Sequence, residues 1–171
     1  MKGQIKSRLW VVLPVLFLGV LFDQLTKVWA VSTLKGGPRY TFLSDTIRIA
    51  YAENHGAFLG LGNSLTPQTR FWVLTVAVGL FLLGLLLYVF VAKQVDRTSQ
   101  LALSFIFVGG FSNFIDRAFN NGAVVDFMNV GVGNLRTGIF NVADVYIMIG
   151  AFLIIVGQWL FERHNRNTMA E

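Results

Sequence analysis

Three aspartates between positions 109 and 144 are the residues of this chain whose types and spacing could do chemistry. Each lies at or just beyond the end of an apolar run, and they are Asp116, Asp126 and Asp144. An ionisable side chain near a hydrocarbon layer is costly, so it normally has a partner or a functional role. Two carboxylates held close together share a proton, so one can act as a general base and the other as a general acid. The pattern predicts a candidate aspartyl peptidase site made by Asp126 and Asp144.

Asp144 also has a structural interpretation. Asn141 and Asp144 have the spacing of a helix N-cap followed by an acid in the first turn, and capping alone would explain that pair. Asp126 has no evident capping role, and its neighbours on both sides are apolar. If the pair is catalytic, we expect Asp144, at a helix N-terminus, to be ionised and Asp126, in apolar surroundings, to be protonated.

The other acids near the apolar segments are typical of ion pairs. Asp23 and Lys27 are four residues apart in the acid-first order that stabilises a helix. Asp116 precedes Arg117, which indicates an ion pair at a helix end. We therefore expect structural roles for Asp23, Lys27 and Asp116.

Other hydrolytic chemistries have weaker support. The chain has no cysteine, which excludes a thiol nucleophile and cysteine-ligated metals. Its two histidines lack metal-binding spacing, so we expect neither a metal nor a cofactor. Ser112 is an alternative nucleophile, but no histidine is placed to activate it and Lys27 would have to act as its base.

The composition predicts an integral membrane protein, since 54% of the residues are hydrophobic and only 13% are charged. We predict a mainly α-helical chain with one domain over residues 1–171. Its four transmembrane helices are predicted at residues 10–30, 71–92, 101–117 and 141–161.

The polar segment at residues 31–68 predicts a small β-rich element lying on the membrane surface. Residues 46–51 alternate between large apolar and other side chains, which is typical of a strand, and glycine-rich turns lie on both sides of them. Such a strand can pair with an extended peptide. Asn54 is typical of a turn, and Gly56 supplies its bend, so we expect this loop to help clamp a bound peptide.

The net charge of +5 predicts orientation in a membrane rather than nucleic-acid binding, because no basic cluster is interleaved with stacking aromatic residues. Lysines and arginines divide equally between the two sides. The basic tail before the first helix favours cytoplasmic termini. The 31–70 segment and the 118–140 loop then face outward together.

Five motifs resemble those of the bacterial lipoprotein signal peptidases, also called signal peptidase II. They follow the family's order over nearly the whole chain: Asp23-Gln-Leu-Thr-Lys27, Asn54-His-Gly-Ala, Gly109-Gly-Phe-Ser-Asn-Phe-Ile-Asp-Arg117, Val124-Val-Asp-Phe127 and Phe140-Asn-Val-Ala-Asp144. One departure lies at residues 57–60, where the family more often places a second small residue before the phenylalanine.

The resemblance implies a four-helix membrane bundle with an outward-facing β-cradle. Asp126 and Asp144 would be catalytic, and the residues lining or supporting the site would be Asn54, Asn113, Arg117 and Asn141. The implied substrate is a diacylglyceryl-modified prolipoprotein, cut before its lipidated cysteine near the outer leaflet of the bacterial inner membrane.

One alternative is a small proton-coupled transporter or channel subunit. It would need acids at mid-span, and the cores of the second, third and fourth predicted helices have none. We expect a monomer in contact with membrane lipids.

Overall fold

A computed structural model of the chain describes residues 2–57, 62, 64–92 and 95–168. The departure noted at residues 57–60 therefore lies largely outside the described residues. The elements in chain order are α1 (Lys2–Leu34), β1 (Tyr40–Phe42), β2 (Ile47–Asn54), α2 (Pro67–Arg70), a π-helical stretch (Phe71–Ala77), α3 (Val78–Val91), α4 (Arg97–Phe119), β3 (Val124–Val132), β4 (Leu135–Arg136) and α5 (Val142–Thr168).

Four helical segments are long and apolar enough to cross a membrane, which confirms the predicted helix count for the described residues. They are Val12–Leu34, Pro67–Val91, Arg97–Phe119 and Val142–Arg163. Local chemistry explains where two of them begin. Thr66 caps the second through its hydroxyl oxygen, which accepts from the Thr69 amide at 3.2 Å. Asp96 caps the third in the same way, accepting from the Ser99 amide at 3.0 Å.

The first span continues beyond the predicted end at residue 30, and this changes the position of two charged residues. A helix that ended at residue 30 would have Asp23 and Lys27 in its last two turns. They lie in the interior of the Val12–Leu34 span instead, because the apolar run resumes after Lys27 and carries the helix on to Leu34.

A four-stranded antiparallel sheet in the order β1-β2-β3-β4 confirms the predicted β-rich element and extends it. The segment at residues 118–140, which we expected to be a loop, contributes β3 and β4. Asp126 therefore lies on a strand, opposite Ala52 of β2. The first five residues of β3 are all buried or nearly so, which removes the alternation that marks a half-exposed strand and explains why the sequence pattern did not reveal it.

Glycines allow close packing of the helices and are placed where α4 meets its neighbours. A Cβ added at Gly150 of α5 would lie 2.5 Å from the carbonyl oxygen of Ala102 and 2.7 Å from Cγ1 of Ile106. One added at Gly19 of α1 would lie 2.7 Å from Cγ1 of Val108. Small residues at such positions let helix backbones approach closely within a membrane.

We predict that Gly150→Ala weakens the α4–α5 contact, because the added methyl group meets backbone that cannot move aside. Overpacking of this kind costs about 1–3 kcal/mol. The matched control is Gly84→Ala in α3, where an added Cβ meets nothing within 4 Å. Thermal unfolding in detergent should show a lower Tm for the first variant and an unchanged or higher Tm for the second. Equal Tm values would contradict the packing argument.

Candidate active site

Asp126 and Asp144, which we call the dyad, come together at one cavity of about 200 Å³, the dyad cavity. Strand β3 carries Asp126 and the first turn of α5 carries Asp144, and the two side chains are 1% and 7% exposed. The same cavity is lined by three of the residues expected to support the site: Asn54, Asn113 and Arg117. These residues are far apart in the sequence, and the packing of β3 with α4 and α5 brings them together.

Two asparagine side chains connect the two carboxylates. Asn141 donates from Nδ2 to Oδ1 of Asp126 at 2.6 Å and to Oδ1 of Asn113 at 3.1 Å. Asn113 then donates from Nδ2 to Oδ1 of Asp144 at 3.0 Å. A third amide, that of Asn54, donates to Oδ2 of Asp126 at 2.9 Å. Both oxygens of Asp126 are therefore held in place by amide donors.

Asp144 also forms the capping arrangement that its spacing from Asn141 predicts. The Asp144 amide donates to Oδ1 of Asn141 at 3.0 Å, and the Asn141 amide donates to Oδ2 of Asp144 at 3.1 Å. Capping and a place in the cavity are thus not alternatives here, because the carboxylate does both. Its donors and the positive end of α5 are all features that stabilise a negative charge.

The environment of Asp126 favours the protonated acid. Burial raises the pKa of Asp126 to about 7, and the nearby charge of Asp144 acts in the same direction. Hydrogen bonds from Asn54 and Asn141 and the charge of Lys27 oppose this shift without cancelling it. The surroundings of Asp126 therefore support a protonated acid, which is one of the two forms that general acid–base catalysis by a carboxyl pair requires.

A buried ionic cluster lies behind the cavity, with Lys27 at its centre. The Lys27 ammonium is 2.8 Å from Asp23 and 3.0 Å from Asp116, and it donates to Oδ1 of Asn113 at 2.9 Å. The predicted Asp23–Lys27 ion pair is present. The pair expected between Asp116 and Arg117 was wrong, because consecutive residues of a helix point in different directions and Asp116 faces α1 instead.

The two carboxylates of this cluster also hold backbone groups of other elements. Asp23 accepts from the Ala143 amide at 2.7 Å, which ties α1 to the start of α5. Asp116 accepts from the Val125 amide at 3.0 Å, which ties α4 to β3 one residue before Asp126. The elements that carry the two cavity aspartates are therefore anchored to the same cluster.

Gly56 and Arg117 connect the β2 loop to the cavity wall. The Arg117 guanidinium donates to the Gly56 carbonyl at 2.7 Å, and the Gly56 amide donates to Oδ1 of Asn54 at 2.9 Å. Arg117 also lines a neighbouring cavity of about 250 Å³ together with His55 and Arg70. Sequence reasoning did not single out Arg70, and no motif would have identified it.

Ser112 is not placed as a nucleophile. Its side chain is fully buried and donates to Oδ2 of Asp23 at 2.6 Å, so it belongs to the ionic cluster and does not line the dyad cavity. Sequence reasoning missed Gln24, which donates to Ser112 at 3.0 Å and to Asp116 at 2.9 Å. Its position beside Asp23, in a mostly apolar helix, could have identified it from the sequence.

We predict that Lys27→Met strongly destabilises the protein, because it leaves Asp23 and Asp116 buried without their cation. Removing one partner of a buried ion pair costs about 3–5 kcal/mol. Lys35→Met is the matched control, since the Lys35–Glu53 pair is 56% and 42% exposed and such pairs contribute about 1 kcal/mol at most. Thermal unfolding in detergent measures both, and similar losses in the two variants would contradict a special role for the buried cluster.

Several known proteins are similar to this chain in sequence. A family model described as signal peptidase (SPase) II matches residues 15–160. A lipoprotein signal peptidase of Bifidobacterium longum subsp. infantis is 30% identical over 160 residues, covering 91% of this chain and 81% of the relative. One from Staphylococcus aureus strain MRSA252 is 33% identical over 137 residues, covering 80% of each.

A solved bacterial membrane enzyme structure is similar to the fold described above. It superposes with a TM-score of 0.72 at 28% sequence identity, covering 87% of both chains. Agreement in sequence and agreement in fold both extend over most of the chain. The chain therefore belongs to the signal peptidase II family of membrane aspartic peptidases.

Proposed function

We propose that this chain removes the signal peptide from prolipoproteins, with Asp126 and Asp144 as its catalytic pair. The observation that carries the proposal is that both carboxylates line one cavity and are linked through Asn141 and Asn113. The relatives named lipoprotein signal peptidase support the substrate class. The substrate's cysteine carries a diacylglyceryl group, and the peptide bond before this cysteine is the one cleaved.

The two carboxyl groups have complementary roles in this mechanism. Asp144 is ionised and takes a proton from water as the water oxygen attacks the peptide carbonyl carbon. Asp126 is protonated and donates its proton to the carbonyl oxygen, giving a neutral tetrahedral diol. When the diol collapses, Asp126 recovers the hydroxyl proton and Asp144 gives its proton to the leaving amine as the C–N bond breaks. Atoms and charge balance, and the pair returns to its starting state.

The remaining cavity residues position these groups and the peptide. Asn113 and Asn141 hold the carboxylates in the geometry required for proton transfer. Arg117, Gly56 and Asn54 form one hydrogen-bonded unit at the cavity wall, so they can hold the extended peptide beside Asp126. We also infer that the chain acts as one domain.

The enzyme lies in the inner membrane with both termini in the cytoplasm and its site near the outer leaflet. Four spans put the termini on one side, and the basic N-terminal tail favours the cytoplasmic side for them. Lys27 lies about 10 Å along the helix from the end of the first span at Leu34, so the ionic cluster that supports the dyad lies within the span. A monomer in contact with lipid meets its diacylated substrate by lateral diffusion.

The transporter alternative is not supported by the surroundings of the mid-span acid. Asp23 lies within the first span, as a proton pathway would require, but it is bound to Lys27, Ser112 and the amide of Ala143. Its hydrogen bonds are structural, and family membership independently favours the peptidase.

We predict that Asp126→Asn and Asp144→Asn each abolish cleavage of a diacylated prolipoprotein, because each removes one proton-transfer group. Loss of a catalytic group of this kind reduces turnover by at least about a thousandfold. Glu53→Gln is the control, since it removes an exposed carboxylate immediately before Asn54 and should leave the rate nearly unchanged. The reconstituted proteins are compared in the same assay, with folding checked by thermal unfolding. Substantial turnover by either folded aspartate variant would overturn the dyad.

We also predict that cleavage declines as the pH rises through about 7, the raised pKa of Asp126. Below that value the acid holds its proton and can donate it, and above that value the proton is lost, so the rate should fall about tenfold per pH unit. The pH profile of kcat/KM measures this limb. A rate that increases through the same range would mean that ionised Asp126 is the active form, which would reverse the two roles.

A further inference from the structure

A third cavity, of about 290 Å³, lies on the face of β3 opposite the dyad. Successive residues of a strand point to opposite faces of the sheet. Asp126 accordingly lines the dyad cavity, while Phe127 and Asn129 line this third one. The proposed mechanism does not use this cavity. We call it the basic cavity because arginine side chains line it.

Three arginines line the basic cavity: Arg39, Arg48 and Arg136. Asp45 is the one carboxylate within ion-pair distance of any of them among the described residues, accepting from Nε of Arg48 at 2.7 Å and lying 3.8 Å from Arg136. Hydrogen bonding to Arg48, with added effects of the Arg136 and Arg39 charges, lowers the pKa of Asp45 and keeps it ionised. Three cations against one anion leave an excess of two positive charges.

The three guanidinium groups are not equally engaged. Arg136 is fixed by the carbonyl of Asp45 at 2.8 Å and by Oδ1 of Asn129 at 2.6 Å, and Arg48 is fixed by Asp45. Arg39 is exposed and makes no hydrogen bond or ion pair within the described part of the chain. A site with two fixed guanidiniums and one unpaired guanidinium can accept an anion that brings several oxygen atoms, as a phosphate does.

The basic cavity lies level with the end of the first membrane span. Arg39 follows the last residue of that span, Leu34, by five positions. Phe127, in the cavity wall, packs edge-on against Trp29 with ring centroids 6.0 Å apart, so the wall contacts the last turns of α1. Lipid headgroups occupy about 5–7 Å beyond the hydrocarbon core on each side, so a side chain that closely follows the end of the span can reach them.

The sheet beside the cavity exposes apolar side chains suited to the same depth. Tyr40, Phe42 and Leu43 are 44%, 53% and 72% exposed. In the cavity itself, Ile139 and Ala50 add apolar side chains to the lining that the arginines share. A ligand that fits must be anionic at one end and apolar at the other, which describes a phospholipid better than a free phosphate or an acidic peptide.

We propose that the basic cavity binds the phosphate of an anionic phospholipid, with the glycerol and first acyl carbons against Ile139 and Phe127. Phosphatidylglycerol is the simplest lipid with this chemistry. A bound lipid would hold the sheet against the membrane surface from the face opposite Asp126, without entering the catalytic cavity.

The test uses the full chain in neutral detergent and native mass spectrometry to count retained lipid. The probes are phosphatidylglycerol, phosphatidylcholine with the same acyl chains, and inorganic phosphate alone. The variants are Arg39→Gln, which removes the unpaired guanidinium, and Lys35→Gln, which removes an equal charge on the same exposed segment outside the cavity. One basic residue near a membrane surface contributes about fivefold to the binding of an anionic lipid.

We expect wild type and Lys35→Gln to retain phosphatidylglycerol in preference to phosphatidylcholine, and Arg39→Gln to lose about fivefold in that retention. Arg39→Lys should recover part of it. Equal losses in Arg39→Gln and Lys35→Gln, or no preference between the two lipids, would overturn the proposal in favour of general charge attraction. Competition by millimolar inorganic phosphate as effective as that by lipid would assign the cavity to a free anion instead. Peptidase activity in detergent should be unchanged in Arg39→Gln, which separates this proposal from the catalytic one.

Discussion

The ionic contact between Lys27 and its two carboxylates is the interaction on which the rest of the structure depends. A lone charge at this depth would be too costly to keep, so Asp23, Lys27 and Asp116 are stable only together. The two carboxylates also accept hydrogen bonds from backbone amides of other elements: Asp23 from Ala143 and Asp116 from Val125. One buried cluster therefore fixes how α1, α4, α5 and β3 meet.

The positions of Asp126 and Asp144 depend on that cluster. Lys27 holds the amide of Asn113 by its oxygen, which directs the nitrogen of the same amide toward Asp144. Asn141 similarly divides its donors between Asn113 and Asp126. Positioning is thus achieved with neutral amides, which add no charge to a cavity where desolvation already favours protonated Asp126. Burial favours the protonated form of Asp126, and the arrangement of the two groups comes from the amide chain.

The two faces of the sheet at β3 line cavities with different chemistry. One face of β3 presents Asp126 to the cavity between the helices, and the other presents Phe127 and Asn129 to the basic cavity. A strand with buried residues on both faces has no simple alternation of apolar and polar residues. Because residues on both faces of β3 are buried, its sequence lacks the alternation of a half-exposed strand. We therefore predicted a loop at this position.

The sequence by itself determined the membrane class, the four apolar helices, the family and the Asp23–Lys27 contact, because these depend on composition, on ordered motifs and on spacing within one helix. Tertiary structure alone decided that Asp116 pairs with Lys27, that Ser112 is buried behind the site, and that β3 completes the sheet. Those outcomes depend on which elements pack together. Cross-element contacts between residues distant in the chain leave no periodic trace in the sequence, since each partner is compatible with several local environments until the helices and strands meet.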